Sequence, residues 1–293
     1  MTRIMHDRIR VILSPAKKMI EDGDTLPAET LPRFLSEAEE LMAFVQALSY
    51  GEAKALWHCN DQLAELNFDR FRTMELKKNL TPALLAYEGI QYQYLAPKTL
   101  DEAALSWLSE HLRILSGFYG LLRPFDGVVP YRLEMGAKAS VRGSGDLYAY
   151  WGPRLYEALR SEPGRKQEKL YEGIYKEIWE GALEERRPAA SGLLILNLAS
   201  KEYARAVEPY RKPEDLWIDC VFAERTKEGR LKQKATLAKM ARGEMARFLA
   251  EQGPEGEAEL LNTLPQFDRL GFSYSPEDSD GETYTFLLKT DQD

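Results

Sequence analysis

Four consecutive residues, Leu193-Leu194-Ile195-Leu196, set the tightest limit on what this chain can fold into. A run that is apolar on both alternating faces cannot leave one face in water, so it reads as a strand covered above and below. Arg8-Ile9-Arg10-Val11-Ile12-Leu13 is a second strand, stopped by Ser14-Pro15 and running into a loop that carries Lys17 and Lys18. Residues 216–222 alternate and predict a third, and 113–115 a shorter one. The amphipathic helices that would cover such strands are readable at 36–48, 52–57, 61–74, 83–87, 99–111, 147–160 and 235–250. Thr81-Pro82 caps the fourth of these, with proline at its first helical position. Residues 271–274 and 282–288 predict a hairpin around Pro276-Glu277-Asp278. Strands and helices are interspersed without a regular βαβ repeat, and no linker divides the 293 residues. The expectation is one α/β (α+β) domain over 1–293, a mixed β-sheet surrounded by helices.

Hydrophobic residues make up 44% and charged residues 29%, which removes disorder, collagen and coiled coil as whole-chain readings. The net charge of −8 argues at first against a nucleic-acid partner. Residues 250–293, however, hold eleven Asp/Glu against two Lys/Arg, a local charge of −9 that leaves +1 for residues 1–249. The stretch 163–190 is highly charged, with only a thin apolar stripe, and reads as a helical insertion. Two cysteines 161 positions apart, Cys59 and Cys220, form neither a disulfide framework nor a zinc pattern. Residues 1–10 lack the apolar core of a signal peptide, and no stretch approaches the roughly eighteen apolar residues of a membrane span. A cytoplasmic protein is expected.

Several chemistries fail on their motifs. No Gly-Lys dipeptide occurs, so there is no P-loop, and Gly143-Ser144-Gly145 meets Tyr148 where a dinucleotide fingerprint needs its third glycine. Gly-x-Ser-x-Gly, His-Glu-x-x-His and Glu-x-x-His are absent, and His6, His58 and His111 are the only histidines. Neither a metal centre nor a cofactor is expected.

Polar loop residues cluster instead where strands end. Four segments carry them: 14–19, 116–126 with 130–135, 197–203, and 238–248. If these ends converge, Lys17, Arg123, Arg132, Lys239 and Arg242 line one cleft with Tyr119, Asp126, Glu134 and Glu202. Ser14, Lys18, Ser116, Asn197 and Ser200 add polar groups to it. Cations would hold a phosphate backbone, and Tyr119, Tyr131 or Trp151 would offer stacking faces worth about 1–3 kcal/mol per base. In the competing reading, Arg123 with Asp126 and Arg132 with Glu134 satisfy each other in rigid turns.

At these residues the chain resembles the YaaA family of bacterial peroxide stress-response proteins. The resemblance rests on Ser-Pro-Ala-Lys-Lys-Met at 14–19, Leu-Ser-Gly-Phe-Tyr-Gly-Leu-Leu-Arg-Pro-Phe-Asp at 115–126 and Pro-Tyr-Arg-Leu-Glu-Met at 130–135. Asp-Leu-Tyr-Ala-Tyr-Trp-Gly at 146–152, Asn-Leu-Ala-Ser-Lys-Glu-Tyr at 197–203 and Lys-Met-Ala-Arg-Gly-Glu-Met-Ala-Arg-Phe at 239–248 extend it over nearly the whole length. It implies a cytosolic, peroxide-induced protein that limits iron-driven oxidative damage; a monomer is expected. It further implies a fold peculiar to the family, with a basic cleft and DNA binding through a helix-hairpin-helix element. Met240 departs from the pattern, standing where relatives often carry a further lysine, and the 163–187 stretch is longer than in compact relatives.

Residues 52–72 have the rhythm of two short helices about a tight turn, without the usual hairpin glycines, and are the best candidate for that element. Trp57, Leu63, Leu66 and Phe71 read as helix core rather than ligand contacts. The alternative function is an enzyme taking a phosphorylated or carboxylated small molecule in the same cleft, with Lys17, Tyr119 and Glu202 as proton-transfer groups. Direct iron sequestration is opposed by the thin supply of His and Cys. Cys59, adjoining His58, is a minor candidate for redox sensing and more readily an inert thiol.

Overall fold

A computed structural model describes residues 8–161 and 192–289. The charged stretch 163–190 lies outside the described residues. Inside the main sheet, next to its middle strand, is β1 (Arg8–Leu13), whose side chains from Ile9 onward are buried. On one side it pairs in parallel with β5 (Leu112–Ser116), which turns back into the antiparallel edge strand β6 (Gly120–Leu122). On the other side it pairs in parallel with β8 (Leu193–Leu198), the apolar run, in which residues 193–196 have no exposed surface. Beyond β8 come β9 (Leu216–Arg225) and β12 (Thr283–Leu288), both parallel to it, then antiparallel β11 (Phe272–Tyr274) at the far edge. The hairpin expected near the end of the chain is therefore β11–β12, and its second strand also extends the parallel sheet. Three short pairings complete the strands. β2 (Lys18–Met19) pairs with β4 (Tyr87–Glu88), β3 (Thr81–Pro82) with β7 (Gly127–Val128), and β10 (Leu231–Lys232) with the end of β9.

The helices follow local chemistry. α1 (Leu35–Gln46) and α2 (Tyr50–Trp57) precede α3 (Asp61–Thr73). Ser49 caps α2 by accepting from the Glu52 N–H, while the Glu52 carboxylate accepts from the Ser49 N–H at 2.8 Å. After α4 (Ala83–Ala86) and α5 (Ile90–Leu95), α6 (Glu102–His111) starts at the Asp101 cap, three residues later than apolar spacing alone suggests: residues 97–99 form a separate 3₁₀ turn. The single helix expected over 147–160 is two, α7 (Leu147–Trp151) and α8 (Arg154–Ser161), because Pro153 cannot continue the first. α9 (Lys201–Ala204) follows β8, and α10 (Ala235–Gln252) and α11 (Glu257–Thr263) complete the set.

Chain order fixes where a site can form. From β1 the chain leads toward β5 on one side, and from β8 toward β9 on the other. The loops leaving adjacent strands β1 and β8 thus diverge, and in an open α/β sheet this is where a crevice opens outside the carboxyl ends.

Candidate functional site

Ser14 ends β1 and Ser200 opens α9, so the switch point joins them. Ser14 Oγ accepts from the Ser200 N–H at 2.8 Å and donates to Ser200 Oγ at 3.3 Å. The Ser14 carbonyl, freed from the sheet, accepts from Gln91 Nε2 at 2.8 Å and Tyr92 Oη at 3.0 Å. Both donors stand on α5, and α5 is clasped by α10 at Gly243. A Cβ at that position would lie 1.9 Å from the Gln91 carbonyl oxygen, so only glycine permits this approach. The Arg-Gly pair of the 239–248 motif is thereby explained at its second residue.

Three residues on from Ser14, Lys17 Nζ lies 2.7 Å from Glu134 Oε2, and Arg132 Nη2 lies 3.1 Å from Glu134 Oε1. One carboxylate thus bridges two cations. The loop carrying it is held by the Gly136 N–H, which donates to Glu202 Oε1 at 2.9 Å. Glu202 also accepts, through its carbonyl, from Tyr148 Oη at 2.9 Å. Further along the carboxyl edge, Asn197 Nδ2 donates to Asp219 Oδ1 at 2.7 Å and Asn197 Oδ1 accepts from the Ala199 N–H. Arg242 on α10 is half-buried beside Asp219 and Cys220, and desolvation lowers its pKa. Segments 14–19, 132–136, 197–203 and the 242–243 part of α10 are therefore linked contact by contact.

The segment 116–126 joins them differently. Ser116 and Tyr119 have no exposed surface. Ser116 Oγ accepts from the Phe118 and Tyr119 N–H groups and lies 2.6 Å from Tyr131 Oη, which is 2.8 Å from Tyr87 Oη. With its lone pairs engaged by two amides, the Ser116 hydroxyl is left to donate to Tyr131. Tyr119 Oη accepts from the Val129 N–H at 3.2 Å. Burial raises the pKa of Tyr119, away from neutrality. Tyr131 is pushed up to about 12 by the same cause. Trp151 is fully buried, its Nε1 donating to the Gly117 carbonyl. The stacking faces expected of Tyr119, Tyr131 and Trp151 are thus turned into the core. Arg123 belongs to a turn in which its N–H donates to Asp126 Oδ2, while Asp126 Oδ1 accepts from Thr30 Oγ1 at 2.6 Å. Lys18 pairs with Glu88 across β2 and β4.

Helices α2 and α3 are joined by three residues, with His58 left-handed and Asn60 capping the Leu63 N–H. Trp57 and Phe71 are core, stacked at 5.8 Å, but Leu63 and Leu66 are 39% and 47% exposed, against their reading as core. At the turn Lys54 is paired with Asp61, which places a carboxylate on the first turn of α3. Cys59, at the same turn, is half-buried, whereas Cys220 is buried and its thiol pKa driven up by desolvation.

Sequence reasoning passed over a further element. β9 continues three residues past Phe222 and turns through Gly229, whose φ of 78° is the left-handed conformation of a hairpin turn, into β10. Residues 224–239 carry Arg225, Lys227, Arg230, Lys232, Lys234 and Lys239 against Glu224 and Glu228. Arg225 pairs with Asp278, and Lys234 with Glu224 at 2.7 Å, tying the ribbon to the start of α10. Lys227, Arg230, Lys232 and Lys239 are exposed. They form no ion pair among the described residues. The alternation Arg230-Leu231-Lys232 after Glu228-Gly229 was the available signal.

The sequence that folds in this way matches a known family. A family model described as "Peroxide stress protein YaaA" covers residues 9–278. The chain belongs to the YaaA peroxide stress protein family. It is 44% identical over 281 residues to a "UPF0246 protein" of Lactiplantibacillus plantarum, covering 96% of this chain and all of that one. A "UPF0246 protein" of Lachnoclostridium phytofermentans is equally similar, at 44% over 281 residues and 96% of each chain. One from Pediococcus pentosaceus is 41% identical over 279 residues, or 95% of this chain and 98% of its own. In this YaaA-family chain no group of three or more His, Cys, Asp or Glu among the described residues is placed to hold a metal ion, and no helix there is long and apolar enough to cross a membrane.

Proposed function

We propose that this protein serves the peroxide response by binding DNA along the β9–β10 ribbon and the exposed start of α10, and limits iron-driven damage at the DNA it covers. The observation that carries this reading is the row Lys227, Arg230, Lys232 and Lys239, exposed and without ion pairs among the described residues. Cations already neutralised by a neighbouring carboxylate release few counterions on meeting a phosphate, whereas unpaired ones release their full share. The α2–α3 turn is the weaker candidate, since Asp61 occupies Lys54 and stands where a phosphate would approach. With Tyr119, Tyr131 and Trp151 buried, duplex is favoured over unpaired strands, which need stacking platforms.

Fluorescence anisotropy of labelled duplex, bubble and single-stranded DNA tests this. Four phosphate contacts predict a log–log salt slope of about −3.6, a roughly 150-fold loss of affinity between about 50 and about 200 mM salt. The triple variant Lys227→Ala, Arg230→Ala, Lys232→Ala should reduce the slope to about −0.9. Salt-independent binding would sink the proposal. Weakening on Lys54→Ala but not in the triple variant would move the DNA to the α2–α3 turn.

A further inference from the structure

Glu134 bridges two cations from a fixed backbone. Its backbone neighbourhood is fixed, because Gly136 is anchored to Glu202 and Arg132 is packed into the protein. Its carboxylate, by contrast, reaches the surface with a side-chain exposure of 27%, between exposed Lys17 and buried Arg132. Arg132 has a side-chain exposure of only 9%, yet its Nε has no hydrogen-bond partner and Glu134 is its only ion-pair partner among the described residues. A guanidinium carries five N–H donors, and leaving one buried and unused is unfavourable by about 1–3 kcal/mol. Lys17 and Arg132 thus converge on a single carboxylate, on the loop that Gly136 ties to Glu202.

We infer that Glu134 is a built-in stand-in for a ligand oxyanion, and that Lys17 and Arg132 form a binding site for a small carboxylate- or phosphate-bearing molecule that displaces it. The incoming oxyanion takes Lys17 Nζ and the Arg132 guanidinium, including the donor that Glu134 leaves unused, while the Glu134 side chain swings to solvent on a fixed backbone. No bond is made or broken. The site uses no ribbon residue and stands apart from the DNA proposal.

The test is calorimetric titration of the full-length protein with inorganic phosphate and, separately, malonate, in the absence of DNA. Glu134→Gln removes the competing charge and keeps the shape, so it should tighten binding about tenfold or more, the worth of one charge-assisted hydrogen bond. Lys17→Ala should abolish binding in both the native and the Glu134→Gln backgrounds. Lys18→Ala, which alters an equally exposed lysine paired elsewhere, should leave it unchanged, as should the ribbon triple variant. Circular dichroism confirms that each variant is folded. Binding seen only in Glu134→Gln also supports the inference, with the stand-in outcompeting the probe. Preference for phosphate or for malonate identifies the oxyanion. No binding in either background overturns the inference. So does equal weakening by Lys17→Ala and Lys18→Ala, or loss of binding in the ribbon variant.

Discussion

The carboxyl edge of the sheet and the β9–β10 ribbon are built from similar polar residues and behave oppositely. At the edge, nearly every polar side chain answers to another. Ser14 answers to Ser200, Asn197 to Asp219, and Ser116 to Tyr131. In the ribbon, three of the five basic residues from Arg225 to Lys234 answer to nothing described, and they face water. Residue type is therefore a poor guide to role. Groups desolvated together must satisfy one another, and this makes them parts of the scaffold. Groups left in water keep their charge for an outside partner.

The contrast breaks first at Gly243. Adding a methyl there forces α10 off α5, whose Gln91 and Tyr92 hold the Ser14 carbonyl, so Gly243→Ala should destabilise by about 3 kcal/mol or more in urea unfolding. A loss under about 1 kcal/mol would show the edge to be adaptable rather than rigid. Tyr131→Phe removes one hydroxyl from the Ser116–Tyr131–Tyr87 chain and should be destabilising by roughly 1–3 kcal/mol, with DNA affinity unchanged. The ribbon should give the mirror result. Lys227→Ala, Arg230→Ala and Lys232→Ala should each shift stability by no more than about 0.5 kcal/mol while lowering affinity for duplex. An intermediate case is Asp22, on the loop after β2. Its pairing with Lys98 lowers its pKa to about 2. Because the folded value lies below the ordinary one near 4, the pair contributes stability above that range and loses it as pH falls toward 2. Asp22→Asn should flatten this acid limb alone, measured as unfolding midpoint against pH.

Much of the scaffold was legible in the sequence, because it depends on local signals. The apolar run of β8, the stop at Ser14-Pro15 and the spacing within α10 each act over a few residues. What stayed hidden depends on who faces whom. Apolar spacing marked Leu63 and Leu66 as core, but α3 buries only the stripe through Ala64, Asn67 and Phe71 and leaves those two in water. Aromatic residues among cations suggested a stacking surface, and burial, a tertiary property, removed it. The parallel pairing of β12 with β9 could not be foreseen either, since a hairpin reveals its own partner and not the strand it will join. Of the site, Lys17, Arg132 and Glu134 were named from the sequence. Their joint carboxylate was not, for a single chain read in order does not show that Lys17 and Arg132 share one oxygen pair.

The place of β1 between β5 and β8 also bears on biosynthesis. Arg8 pairs with Leu193, 185 residues later, so a strand that ends up buried from Ile9 onward leaves the ribosome long before its second neighbour exists. At about 5–20 residues per second this interval lasts roughly 10–40 s. A nascent chain of this kind has reason to engage a holding chaperone during translation, and its yield should depend more on elongation speed than on the stability of the finished protein.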